Sequence, residues 1–123
     1  MTQENKDLLL KDLCSRLPYG VKIELTWWVM DEGTYVNVTL EPEHIEQLLN
    51  YENYITEIKP YLFPLSNMTE EQKKEYQYIT ERWMYDSSYS ISDSIDWLNK
   101  NHFDYRGLIP MGLAIDATNL NIY

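Results

Sequence analysis

The stretch Val21-Lys22-Ile23-Glu24-Leu25-Thr26-Trp27-Trp28-Val29-Met30, followed by Asp31-Glu32-Gly33 and then Thr34-Tyr35-Val36-Asn37-Val38-Thr39-Leu40, decides how this chain folds. A strand's side chains alternate between two faces, so Val21, Ile23, Leu25, Trp27 and Val29 share one side and Lys22, Glu24, Thr26, Trp28 and Met30 share the other. Asp31-Glu32-Gly33 is a three-residue loop in which Gly33 is placed to take a positive φ. Val36, Val38 and Leu40 then alternate with Tyr35, Asn37 and Thr39. The reading is a β-hairpin with one buried face. Trp28, Met30 and Tyr35 fall on the other face near the hairpin end, and form a candidate surface for a partner.

The flanks read as helices. Over 3–16, Leu9 or Leu10, Leu13 and Leu17 recur at helical spacing beside Leu8 and Cys14, with Thr2 or Asn5 as cap. Pro18 and Gly20 stop that helix. A short helix at 42–50 starts on Pro42 and carries the stripe Ile45, Leu48, Leu49. A third strand is expected at 53–59. Pro60-Tyr61-Leu62-Phe63-Pro64-Leu65 is excluded as a central strand because two prolines remove two donors, and it reads as an extended segment packed on the core. Thr69 and Gln72 form a capping-box pair for a helix at 69–85, with Met68 as staple, an inward stripe Tyr76, Ile79, Trp83, and a Glu70–Lys74 pair. A further helix at 91–101 carries Ile91, Ile95 and Leu98 on one face. The tail from His102 to Tyr123 is too apolar to hang free, and is expected to wrap the core with a short strand near 113–116. No internal repeat, low-complexity tract or linker interrupts the chain.

These elements predict one α+β domain over 1–123. Its small antiparallel sheet is built on the 21–40 hairpin and covered on one face by the helices 3–16, 69–85 and 91–101. The length, 123 residues, suits a single core of this size.

Composition narrows the function classes. Twenty acidic against ten basic side chains leave a net charge of −10, which argues against direct nucleic-acid binding, where clustered Lys and Arg carry the affinity. Residues 41–98 hold twelve acids and four bases, whereas 1–40 hold six and four and 99–123 two and two. The middle of the chain therefore supplies most of the acidic field, which suits a basic partner. Eleven Tyr and four Trp, in a chain of mean hydropathy −0.50, supply side chains suited to half-wet surfaces as well as to cores. No apolar run reaches the ~20 residues of a membrane span, and no signal-peptide pattern opens the chain, so a cytoplasmic setting is expected.

Motifs for chemistry are sparse. Cys14 alone excludes an internal disulfide and a multi-Cys zinc site, and beside a leucine stripe it reads as core material. His44, between Glu43 and Glu46, lacks convergent ligands, so neither a metal nor another cofactor is expected. His102-Phe103-Asp104-Tyr105-Arg106 is the densest polar cluster. Its His102, Asp104, Tyr105 and Arg106 contain the groups of an acid–base pair and an anion clamp. As structural residues they would close a helix end, with Arg106 paired to Asp104 or to a helix C-terminus. No nucleophile elbow or phosphate loop accompanies them, and no catalytic residue is assigned.

Three segments carry a family likeness: Leu8-Leu9-Leu10-Lys11-Asp12-Leu13-Cys14-Ser15-Arg16-Leu17-Pro18-Tyr19-Gly20-Val21; Ile58-Lys59-Pro60-Tyr61-Leu62-Phe63-Pro64-Leu65-Ser66-Asn67-Met68-Thr69-Glu70-Glu71-Gln72; and Asp96-Trp97-Leu98-Asn99 with His102-Phe103-Asp104-Tyr105-Arg106-Gly107-Leu108-Ile109 and Gly112-Leu113-Ala114-Ile115-Asp116-Ala117. Together they cover about two fifths of the chain. In these the chain resembles a group of small proteins of gut Bacteroidales-type bacteria and of phage-like or mobile elements. The group has no established activity, so the resemblance implies a bacterial cytoplasmic setting and transfers no site residue. The functional expectation is a non-enzymatic accessory or protein-binding domain of phage or mobile-element type. The alternatives are an acidic DNA mimic that inhibits a nucleic-acid enzyme and a small enzyme built on the His102–Arg106 stretch.

Overall fold

In a computed structural model, residues 2–27, 33–50, 55–82, 84–86 and 90–123 are described. Trp28, Met30, Trp83 and the loop residues Asp31 and Glu32 lie outside them, so the readings made for those positions do too. The first helix, α1 (Gln3–Arg16), begins where the Thr2 hydroxyl accepts the Asn5 N–H at 3.1 Å. It runs into a 3₁₀ turn at Leu17–Tyr19 and is released by Gly20 at φ 68°. β1 (Lys22–Trp27) and β2 (Gly33–Thr39) make the hairpin, and α2 (Pro42–Asn50) follows. Then come β3 (Ile55–Pro64), α3 (Glu70–Arg82), α4 (Ile91–Lys100), β4 (Phe103–Asp104) and β5 (Ile115–Asp116). The architecture is α+β, with a small mixed sheet against helices. Among the described residues no helix is long and apolar enough to cross a membrane.

The sheet runs β2-β1-β3-β4, with β5 also on β3. β1 is antiparallel to both β2 and β3, while β4 and β5 join β3 in parallel. The segment from Pro60 is therefore part of β3, a strand with partners on more than one stretch, and the exclusion based on its prolines fails. The reason is where the missing donors point. Tyr61's carbonyl faces β1, because it accepts from the Tyr123 hydroxyl at 2.8 Å, and that hydroxyl oxygen in turn accepts the Lys22 N–H at 2.8 Å. Alternation turns the backbone groups of Pro60 the other way. Pro60 thus sits opposite Ile23 without costing β1 a bond, and Pro64 is the strand's last residue. In the β1–β3 register Lys22 would be the next partner of Tyr61, so the phenol of Tyr123 stands in for one rung of the ladder.

The hairpin departs from simple alternation at one point. Lys22 pairs with Thr39 and Ile23 with Val38, but Leu25 pairs with Tyr35, so Val36 and Asn37 together oppose Glu24. This is a β-bulge, and Asn37 takes the left-handed φ of 56° that Asn tolerates better than most residues. Two expectations change as a result. Val36 leaves the core face and is 61% exposed, and Tyr35 lies opposite Leu25 rather than with Thr26. Thr34 takes the place beside Thr26, Oγ1 to Oγ1 at 3.4 Å.

Two apolar clusters hold the elements together. The first joins Leu9 and Leu13 of α1 and Ile45 and Leu48 of α2 to Val21, Ile23, Leu25, Leu40, Ile58 and Leu62, closed by Leu108 and Ala114. In the second, Trp97 and Leu98 of α4 meet Phe103, with Phe63, Met68, Tyr76 and Ile79 around them. α2 is thus the helix that accompanies α1 over the main core, while α3 and α4 build the second cluster. The Thr69–Gln72 box is formed in both directions, at 2.9 and 3.1 Å, and Ser90 with Asp93 caps α4 in the same way. Smaller corrections follow from helix rotation: Leu49, Ile91, Ile95 and Cys14 are exposed, and Glu70 pairs with Lys73 at 3.3 Å rather than with Lys74.

The Tyr123 hydroxyl predicts a direct test. Tyr123→Phe keeps the ring but leaves the Lys22 N–H and the Tyr61 carbonyl without this partner, so denaturant unfolding should show a loss of about 1–3 kcal/mol.

Candidate functional site

Leu9, Asp12, Leu13 and Arg16 occupy positions i, i+3, i+4 and i+7 of α1 and share its buried face. An acid and an arginine thus point into the interior alongside two leucines. Both side chains are completely buried, at 0% exposure. Arg16 Nε donates to Asp12 Oδ2 at 2.9 Å, and Arg106 Nη1 donates to Asp12 Oδ1 at 2.7 Å. Each carboxylate oxygen therefore holds one guanidinium. Arg16 Nη2 also reaches the Phe103 carbonyl at 2.6 Å, and Arg106 Nη2 reaches Ser15 Oγ at 3.3 Å. Both cations lie against the Tyr105 ring, at 5.2 Å for Arg16 and 4.6 Å for Arg106, where the π face favours positive charge.

The four polar residues of the His102–Arg106 stretch come together in sequence but diverge in their bonding. Asp104 accepts the N–H groups of Leu108 and Ile109, each at 2.9 Å, and so closes the turn that leads to Gly112. Tyr105 donates its hydroxyl to Asn99 Oδ1 at 2.9 Å. Arg106 pairs with Asp12 and not with Asp104. His102, at φ 63°, stacks on Tyr123 with ring centroids 3.6 Å apart. An acid–base pair needs both groups aimed at one reacting atom. Here the carboxylate of Asp104 is taken up by backbone N–H groups and the guanidinium of Arg106 by Asp12. What the arrangement does is tie α1 to the 103–109 segment, across nearly the whole length of the chain.

Asp12 and Arg16 were not singled out from the sequence. The signal was present as an acid–arginine pair at i,i+4, in phase with Leu9 and Leu13. His44, the other histidine, accepts the Glu41 N–H through Nδ1 at 2.9 Å at the start of α2. Among the described residues no group of three His, Cys, Asp or Glu side chains converges as a metal site would require.

Of the candidate surface, the structure describes Tyr35, which is 41% exposed beside Val36 on β2. Every residue of β2 from Gly33 to Asn37 is exposed. Comparison with family models, with curated proteins and with solved structures returned no match.

Two predictions test the buried network. Asp12→Ala leaves two guanidinium groups without their shared carboxylate, and equilibrium unfolding should show a loss of about 3–5 kcal/mol. Burial, followed by the charge of Arg16, pushes His102 down to about 4 from its ordinary value of 6.5. Between those two values the unfolded chain takes up a proton that the folded chain refuses. This contribution to stability is therefore complete above pH ~6.5 and is lost as pH falls towards ~4. His102→Asn, which suits the positive φ, should lower the melting temperature less than wild type between pH ~7 and ~4.5.

Proposed function

We propose that the chain is a non-enzymatic protein-binding domain that engages its partner through the exposed hairpin side of the sheet. The observation that carries this reading is the character of residues 23–58, which hold eight acidic side chains and no Lys or Arg. Within that stretch lies the exposed strand β2, with Tyr35 and Val36 at its surface. Lys22, whose Nζ donates to Thr39 at 2.7 Å, and Lys59, opposite Glu24, lie towards the far end of the strand from Tyr35 and Val36, and the acidic excess around Tyr35 and Val36 suits recognition of a protein of opposite charge. The polar cluster that would otherwise argue for catalysis is engaged internally, by Asp12, Asn99 and the backbone of Leu108 and Ile109. The resemblance of three segments to small proteins of Bacteroidales-type bacteria and phage-like elements supports reading this as an accessory function of a phage or mobile element in a bacterial cytoplasm.

This reading is preferred to a DNA mimic, whose carboxylates would have to stand free along one ridge. Glu57 pairs with Lys59 at 2.9 Å, Glu70 with Lys73, and Glu81 accepts from Gln77 at 2.9 Å.

A photoreactive benzoyl-phenylalanine placed at position 36, and in a control chain at exposed position 111, tests the reading in bacterial cells that carry the chain. A discrete cross-linked protein at position 36 that is missing at position 111 is the expected outcome. No adduct, or the same adducts at both positions, overturns it.

A further inference from the structure

We infer that the partner binds as an added β-strand, a basic extended segment that pairs with the outer edge of β2 at Thr34 and Val36. This rests on the protein-binding reading and specifies its geometry and chemistry.

The edge is defined by the hydrogen-bond pattern of the hairpin. The Leu40 N–H donates to the Val21 carbonyl at 2.9 Å, so the odd-numbered residues of β1 direct their backbone groups towards β2. Leu25 is one of these, and its partner is Tyr35. The backbone groups of Tyr35 therefore face β1, and alternation sends those of Thr34 and Val36 outwards. Among the described residues β2 pairs with β1 alone, and it forms one end of the sheet. Two N–H donors and two carbonyls thus stand ready on exposed backbone, the arrangement used when an extended peptide adds to a sheet.

The bulge at Val36–Asn37 limits this edge. It turns Asn37 to φ 56° and ends the regular stretch, so the docking segment is short and its register is set from the Gly33 end. It also brings the Val36 side chain to the surface, on the same face as Thr34, where it offers an apolar contact to alternate side chains of an incoming strand.

Charge selects the occupant. Asp31 and Glu32 precede Gly33 directly in sequence and Glu41, Glu43 and Glu46 follow the strand, while the cations Lys22, bonded through Nζ to Thr39, and Lys59, opposite Glu24, lie at or beyond the bulge and away from the Gly33 end. A second copy of this chain would bring the same acid-only stretch and a further −10 to the edge, so self-pairing is opposed. A segment that alternates Lys or Arg with aliphatic residues meets both the field and the exposed valine.

The test uses a fluorescent eight-residue peptide that alternates Lys and Val, its Glu-for-Lys counterpart, and a Lys-Val version N-methylated at alternate residues. The full chain should bind the first and neither of the others, and raising salt from about 50 mM to 500 mM should weaken binding at least tenfold. Val36→Pro removes an outward donor without touching the β1 ladder, so it should reduce affinity at least tenfold while the circular dichroism and melting curve stay unchanged. Amide shifts of Thr34 and Val36 report occupancy of the edge independently of that variant. Equal binding of the N-methylated peptide, equal binding of the acidic peptide, unmoved Thr34 and Val36 amides, or edge-paired homodimers each overturn strand addition. A cross-link at position 36 without peptide binding rejects strand addition and leaves the protein-binding reading standing, whereas loss of the cross-link removes both.

Discussion

A single buried carboxylate, that of Asp12, holds two guanidinium groups from opposite ends of the chain, and much of the structure is arranged around it. Burying the charges of Asp12 and Arg16 is costly unless each finds a partner, because the interior screens them poorly and removes their water. Here Arg16 takes one oxygen and Arg106 the other, Phe103 offers a carbonyl, and the ring of Tyr105 lies against both cations. The geometry requires α1 and the 103–109 segment to be in place together. A buried ionic group of this kind contributes less to net stability than its short contacts suggest, and more to excluding arrangements in which one partner is missing. It gives the C-terminal part of the chain a definite seat against α1.

The second long-range tie is the Tyr123 hydroxyl. By accepting from Lys22 and donating to Tyr61, it fills the place where the β1–β3 ladder would otherwise have its next bond. Its ring stacks on His102 and lies against Phe63, so the same residue links the sheet to the turn after α4. Burial raises the Tyr123 phenol well above its ordinary value, which keeps the hydroxyl protonated and able to donate. His102 is held neutral by the same environment and by the nearby Arg16 charge. The polar groups of 102–106 thus fix the position of their own segment.

Local patterns were legible where one side chain acts on its neighbours. The Thr2 cap, the Thr69–Gln72 box, the stop at Gly20, and the alternation of Val21, Ile23 and Leu25 all depend on residues within a few positions of each other. The errors share a cause as well. Sequence alone weighs Pro60 by the donor it lacks, but the cost of a missing donor depends on which neighbour it faces. Simple alternation carried through Asn37 puts Val36 on the buried face, but the strand inserts an extra residue there. The His102–Arg106 stretch was read as a cluster because its members adjoin, whereas their partners are Asp12, Asn99, Tyr123 and two backbone N–H groups.

By itself, then, the sequence determined most of the element types and their limits, the α+β class and the absence of Lys and Arg from residues 23–58, because propensity, capping, periodicity and charge are properties of short windows. Only the tertiary structure decided that β3 runs on through Pro60, that the bulge turns Val36 outwards, and that Asp12 and Arg106 meet. Each of these depends on a partner many residues away. A hydrogen bond or ion pair forms by distance in space, and distance along the chain does not report it.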